Sequence, residues 1–464
     1  FVEGECDKEW RDMNNDGLGI GTLYLWAKED NLQQFKTLSD SNLRKCMLNS
    51  LSLTPNDVAK VVYNLYKHEF VCICSKKNLW YQFKNHRWNL INDAVELRKR
   101  LSKEVIVEYD RLDKYLADVI SKIEDEDEKE LKRKKKETIG KIIKQLKVTT
   151  FKGNLVKECT EYFYDSKFED KLDTNLNLIG FENGIYDLKE MVFRNGLPED
   201  YVSYTTKINY EVFDDDEEEI IDVKTFISQV LPKKIIREYI LTLMSTFLSG
   251  ITSNEKFHIW TGSGGNGKSK LIELFEYGFG DYCCKLPVTL LTQQRARAEG
   301  ANPALVRTKG KRFAVLQEPE KNEVIRVGLM KELTGGDKII ARALHKDPIE
   351  FKPQFKMVMT CNKLIKPSSN DDGVWRRMSV VDFPSKFVDS PDPKNKFEFK
   401  IDDTLNDKLQ IWPEAFIYLL INEYYVKFKS SGIREPAEVR KNNEDFKAES
   451  DVFALFFNEK NNRK

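Results

Sequence analysis

Between an apolar run, "FHIW" at 257–260, and a helix-forming run, "KLIELFEYGF" at 270–279, the chain reads "GSGGNGKS" from Gly262 to Ser269. Gly262, four intervening residues and Gly267-Lys268-Ser269 satisfy the phosphate-loop pattern in full, and the strand before it and helix after it supply the required context. A strand that feeds such a loop needs a sheet around it and helices over the sheet. Gly262, Gly264, Gly265 and Gly267 let backbone N–H groups turn inward where a side chain would block a phosphate. Ser263 and Asn266 complete the loop. Lys268 is placed to neutralise the β- and γ-phosphates, Ser269 to ligate Mg²⁺, and the helix that starts here adds its positive end. The cofactors expected are therefore ATP and Mg²⁺.

Downstream, the short apolar runs "FAVLQ", "FKMVMTC" and "MSVVDF" alternate with helical stretches. That alternation predicts an α/β domain with a largely parallel sheet. A phosphate loop also needs an acid at the end of a neighbouring strand. "KRFAVLQEPE" at 311–320 offers Glu318, which would polarise the attacking water and help to order Mg²⁺; Glu320 is the second choice, because Pro319 pushes it beyond the strand end. Asn362 ends "FKMVMTCN" and can reach the γ-phosphate to position the water. The plain alternatives are a solvated loop carboxylate for Glu318 and a turn-forming asparagine for Asn362.

Length and charge set the limits. A chain of 464 residues is long for one core, so two or three domains are expected. Lys and Arg total 75 against 75 Asp and Glu, so bulk charge announces no nucleic-acid partner and any such binding must come from local placement. The eight cysteines (6, 46, 72, 74, 159, 283, 284 and 361) lack zinc-site spacing and read as reduced thiols of an intracellular protein. No signal peptide and no run of ~18 apolar residues is found, so no membrane partner is expected. Because the first residue is Phe1, a longer parent protein is expected.

Organisation follows composition. Residues 70–91 read as strands with an aromatic-rich turn, and 93–146 as helix, with the acidic-then-basic run "EDEDEKELKRKKKE" as a solvated face or, alternatively, a surface that meets DNA. Residues 174–211 read as hairpins closed by "ENG" and "RNG". The run "DDDEEE" at 214–219 reads as an extended linker and the main boundary, followed by helices that end at Gly250. Trp412, Phe416 and Leu419 fall at helical spacing and read as core.

A phosphate loop alone does not choose a function. Lys268 and Glu318 are 50 residues apart and Glu318 and Asn362 are 44 apart, with "LMKELTGGDKIIARALHKDPIEFKPQFK" between the last two. Here the chain resembles the superfamily 3 helicases, and within them the primase-helicases of large nucleocytoplasmic DNA viruses, the poxvirus and asfarvirus kind. The likeness is strong over about 220–400 and looser over 1–210, carried there by "WAKEDN", "LWYQFKNHRW" and "NLNLIGFENGIYDL". "KELTGGD" resembles the family's B′ motif, which implies that Lys331 reaches a neighbour's nucleotide. "IIARAL" and "IEFKPQF", joined by "HKDP", read as a hairpin; the resemblance implies a channel hairpin with His345 and Lys346 at its tip contacting DNA. "DDGVWRRMSVVDFP" resembles the arginine-finger segment, which puts Arg377 on the finger with Arg376 as runner-up; the plain alternative is structural arginines paired with Asp371 or Asp372. One departure is Gln317, where several members of the family carry a first acid.

The reading is an α/β phosphate-loop domain of AAA+ kind at 214–400, with opening helices at 221–250 and a core at 256–390. A mixed α+β collar at 1–213 would precede it and a helical tail at 401–464 would follow. The resemblance implies an ATP hydrolase and DNA helicase that forms a homo-hexamer. It would translocate 3′ to 5′ on single-stranded and forked DNA, joined to a primase module in the full-length protein, at viral replication sites in the host cytoplasm. The alternatives are a ring ATPase for DNA packaging or protein remodelling without unwinding, and an ATP-binding scaffold.

Overall fold

The computed structural model describes residues 32–450 apart from 295–299 and 321–322, with side chains described from residue 41. Expectations that fall on 1–31, "WAKEDN" among them, and on 451–464 lie outside the described residues. The described residues form two compact units: those of 32–174 with 196–203, and those of 175–195 with 204–450.

The first unit holds helices α1 (Leu32–Asn49) and α2 (Pro55–Tyr66), strands β1 (Phe70–Cys74), β2 (Leu79–Lys84) and β3 (Arg87–Asn92), and helices α3 (Ile106–Lys122), α4 (Glu126–Gln145) and α5 (Thr149–Tyr162). Thr54 starts α2 by accepting from the Asp57 amide at 3.3 Å, and Pro55 sits where a missing N–H costs nothing. Strands are expected here, and the three pair as an antiparallel meander. In α4 the acidic-then-basic run is a solvated helix face, with Lys129 to Glu126 at 2.9 Å and Lys132 to Glu128 at 3.9 Å, while Ile139 and Ile142 enter a core with Val58, Trp80 and Tyr109.

The second unit opens with strands β4 (Leu178–Phe181), β5 (Gly184–Asp187) and β6 (Val192–Arg194), paired antiparallel in that order. "ENG" closes the β4–β5 hairpin as expected. "RNG" closes nothing: it begins at Arg194, the last residue of β6, and the second turn is 188–191. The acidic run at 214–219 lies inside this unit. Its last two residues, Glu218 and Glu219, form the first turn of α6 (Glu218–Val230), where carboxylates favour the helix's positive end. Helix α7 (Lys234–Thr246) follows.

The main sheet is built from β7 (Phe257–Thr261), β8 (Cys283–Leu286), β9 (Phe313–Gln317), β12 (Lys356–Cys361) and β13 (Met378–Asp382), in the order β13-β7-β12-β9-β8 and parallel throughout. All four strands expected from the apolar runs are present, and β8 is the one the sequence pattern did not reveal. Helices α8 (Lys268–Phe279) and α9 (Val327–Thr334) connect them, and β10 (Ile339–Arg342) and β11 (Pro348–Phe351) form a separate antiparallel pair. β14 (Lys386–Val388), β15 (Glu398–Lys400), α10 (Leu405–Ile411), α11 (Pro413–Leu419) and α12 (Ala437–Ser450) complete the unit. Trp412, Phe416 and Leu419 join the core over α8 and α6, as their spacing predicted. α12 covers the edge strand β13, where the Val380 amide donates to Asn443 Oδ1 at 2.7 Å. Among the described residues no helix is long and apolar enough to cross a membrane, and no cluster of His, Cys, Asp and Glu could hold a metal ion.

Candidate functional site

Because the five strands are parallel and in register, they end together. Thr261 stands beside Cys361 and Asp382, and Gln317 beside Thr360. The loop that leaves β7 turns over this edge before α8 begins. Gly262, Gly265 and Gly267 have φ of 144°, 76° and 81°, values that favour glycine. At Gly262 a Cβ would meet Asn266 Nδ2 and Phe383 O, each at 2.6 Å; at Gly267 it would meet Val230 at 2.7 Å. Asn266 is a buried strut: its Nδ2 donates to Phe383 O at 3.3 Å. Ser263, Gly264 and Ser269 are exposed on the open side.

Lys268 is buried, and its Nζ donates to Gly262 O at 2.8 Å, so the lysine folds back over its own loop. Burial pushes the ammonium's pKa down, while Cys361, Asp382 and Glu318 oppose the shift. These three groups therefore face the lysine electrostatically. Glu318 is exposed, with φ of 53° and its amide bonded to Thr360 O at 3.0 Å. Its strand is not the direct neighbour of β7: β12 lies between them, ending in Cys361 and then the exposed Asn362. Glu320 lies further out, where its amide bonds Glu323. Asp382 was missed by sequence reasoning. It is exposed at the end of β13, desolvation pushes its carboxyl up, and it closes an apolar strand much as Glu318 follows one. That shared pattern was the available signal.

The arginines lie at the other edge. The Phe257 amide donates to Arg377 O at 2.7 Å, so Arg377 precedes the first residue of β13 and stands at the start of β7, not its end. Arg377 is buried, with Nη1 on Gly373 O at 2.9 Å and Nη2 on Glu255 Oε2 at 2.8 Å. Arg376 is 65% exposed and touches the same Glu255 oxygen at 3.2 Å. Lys331 joins this group through Asp371, at 2.7 and 2.9 Å, and that pairing holds the Asp371 carboxyl down at about 2. The sequence alternative, arginines paired with Asp371 or Asp372, is replaced by Glu255, Lys331 and, for Asp372, Lys447 at 3.2 Å. Thus Lys268, Ser269, Glu318 and Asn362 share one edge of the sheet, and Lys331, Arg376 and Arg377 share the opposite one.

His345 and Lys346 sit where expected, exposed in the turn between β10 and β11. His345 has φ of 56°, and Arg342 Nε holds the turn by donating to Lys346 O at 3.0 Å. Leu344 beside them is 67% exposed.

Comparison with known proteins finds relatives in large DNA viruses that are named as helicases or primases. Residues 59–232 match the family described as "D5 N terminal like", and 260–377 match a "Family of unknown function (DUF5906)". A protein of Acanthamoeba polyphaga mimivirus named as a proposed helicase is 38% identical over 98% of this chain and 48% of its own length. A proposed helicase of Invertebrate iridescent virus 3 is 27% identical over 95% of this chain and 52% of its own. A proposed primase of African swine fever virus is 24% identical over 86% and 44%. The chain spans about half the length of the curated relatives it matches. Among solved structures, the apo NrS-1 C terminal region aligns over 52% of this chain and 54% of its own at 13% identity, with a TM-score of 0.39.

Proposed function

This chain belongs with the helicase- and primase-named proteins of large DNA viruses, and on that premise we propose that it is an ATP-driven DNA helicase motor of viral genome replication. Copies of the chain would assemble head to tail, as the homo-hexamer the superfamily 3 resemblance implies. The observation that carries this reading is the separation of charges across one sheet. A phosphate held at the end of β7 is a full strand away from Arg376, roughly 15 Å at about 3.3 Å per residue. The arginine therefore serves the nucleotide of another copy.

Within one copy, the loop 262–269 and the start of α8 hold the polyphosphate. Lys268 would leave Gly262 O for the β- and γ-phosphate oxygens, and Ser269 would hold Mg²⁺, which would supply charge neutralisation there. Glu318 polarises the attacking water, and Asn362 orients it. With Gln317 neutral, one strand-end acid carries that task. From the neighbouring copy, Arg376 offers a planar fork to the charge developing on the γ-phosphate, and Lys331 approaches the same nucleotide. Arg376 replaces Arg377 as first choice, because Arg377 is spent on Gly373 O and Glu255 inside its own copy. The β10–β11 turn presents His345 and Lys346 to the DNA backbone, where a cation holds phosphate without reading bases. The first unit would be the collar towards a primase module, residues 401–450 would close over the sheet, and the work would take place at replication sites in the host cytoplasm.

Unwinding of a forked duplex, measured beside ATP turnover with and without single-stranded DNA, tests the reading. Turnover with strand separation is expected. Turnover that DNA stimulates without separation of strands would move the assignment to packaging or remodelling.

A further inference from the structure

Where the strands of the main sheet begin, opposite the phosphate loop, two cations are buried side by side. The Lys356 amide donates to Arg312 O at 3.0 Å, and both side chains reach carbonyls at the end of α7. Arg312 Nη1 donates to Leu248 O, and Lys356 Nζ donates to Thr246 O at 2.7 Å and to Ser249 O at 2.5 Å. Carbonyls at the negative end of a helix meet the lysine's charge with partial charges only. Two of its three N–H groups are used in this way. Burial, with Arg312 adding to it, pushes the ammonium well below its usual range.

Beside Lys356 lies a cavity of about 20 Å³, lined also by His258, Thr252, Asn254, Glu255 and Thr334. His258 is 3% exposed, and its Nδ1 bonds to nothing among the described residues. A buried ring nitrogen that has lost its hydration favours any particle that can bond it there. A single water needs roughly 10–15 Å³, so the cavity admits one particle of that size or slightly larger and excludes a phosphate group.

Charge selects the kind of particle. Glu255 is the one carboxylate of the lining, and it is committed to Arg376 and Arg377. Lys256 and Lys356 make the potential at His258 positive, which is why both oppose protonation of its ring. A neutral imidazole can still donate from Nδ1. An anion between that nitrogen and the third N–H of Lys356 supplies the full counter-charge that a buried ammonium requires, which a water cannot.

We propose that the cavity between the ends of α7 and α9 and the start of β12 is a site for one small monovalent anion of the chloride class, held by Lys356 Nζ and His258 Nδ1. Because Glu255 lines the same cavity and anchors both arginines, the anion and the arginine pair brace one loop, 252–256.

Thermal unfolding of the full chain in sodium chloride, bromide and gluconate, at one low ionic strength, tests the site. Gluconate is too large to enter. Chloride and bromide should raise the midpoint above that in gluconate by about 3 °C and do so saturably, as a ligand of the native state does. Lys356→Met keeps a long side chain without the charge and should erase the difference between the salts, as should His258→Leu. Crystals of the unmodified protein grown in bromide should show an anomalous-scattering peak in the cavity, a readout that stands even where the variants fail to fold. Equal midpoints in the three salts, a halide preference that Lys356→Met retains, or a cavity without bromide each overturns the proposal, and the last of these assigns the space to water.

Discussion

Arg376 and Arg377 hang from one oxygen: Glu255 Oε2 accepts from Arg377 Nη2 at 2.8 Å and from Arg376 Nη2 at 3.2 Å. The sharing is unequal in consequence, because the Arg377 side chain is 10% exposed and the Arg376 side chain 65%. Glu255 and Gly373 hold Arg377 as an anchor, and Arg376 projects from it.

That inequality predicts different phenotypes for the two arginines. Arg377→Ala should lower unfolding free energy by about 1–3 kcal/mol, since it strips hydrogen bonds from a buried site. Arg376→Ala should leave the melting temperature unchanged and abolish ATP turnover. Mixing Arg376→Ala with Lys268→Ala protein should restore part of the activity, because some interfaces then pair an intact loop with an intact arginine. Absence of recovery under proven subunit exchange would return Arg376 to its own copy.

The acids at the loop edge should divide their labour. Glu318→Gln is expected to bind ATP and stop hydrolysis, while Glu320→Gln keeps most of it. Asp382→Asn should retain hydrolysis and tighten ATP by about 1 kcal/mol, or some fivefold, since it removes a negative charge facing the incoming phosphates. Equilibrium binding and single-turnover rates measured on the three variants distinguish these roles. An essential Glu320 would show that the strand-end acid is misassigned.

The β10–β11 turn should govern DNA rather than ATP. Lys346→Ala is expected to weaken single-strand binding about equally across sequences and to reduce the salt slope by about 0.7 per lost contact. Basal hydrolysis should persist. If neutralising Lys132 to Lys136 on α4 abolishes unwinding and Lys346→Ala does not, DNA is held by the first unit instead.

His258 gives a stability prediction. Burial on β7 depresses its pKa to about 3 from an ordinary 6.5. Between those values the unfolded chain binds the proton and the folded one does not, so stability falls as pH drops below about 6.5, by about 1 kcal/mol per unit. His258→Leu should flatten that slope in urea titrations at pH 5 and pH 7. An unchanged slope would assign the acid sensitivity to other groups.

Much of this architecture is legible in the order of the amino acids. The strand–loop–helix context of Gly262 to Ser269 and the apolar runs point to the parallel sheet because buried strands need continuous hydrophobicity. β8 escapes such a reading because "CCKL" is short and carries a lysine, so its identity depends on β9 beside it. Glu318 and Asn362 can be placed by their position at strand ends, whereas Glu255 cannot: nothing local marks a loop carboxylate 122 residues from its partner. The roles of Arg376 and Arg377 are unreadable for a related reason. Adjacent residues in one sequence motif differ here only in which side of a short helical turn they face.

Parallel strand order also carries a counting rule. Where one copy's loop is completed by another copy's arginine, an open row of copies always leaves one loop unserved at one end and one arginine idle at the other. Specific activity should then rise steeply with protein concentration and level off once the row closes on itself, a dependence that a self-sufficient monomer cannot produce.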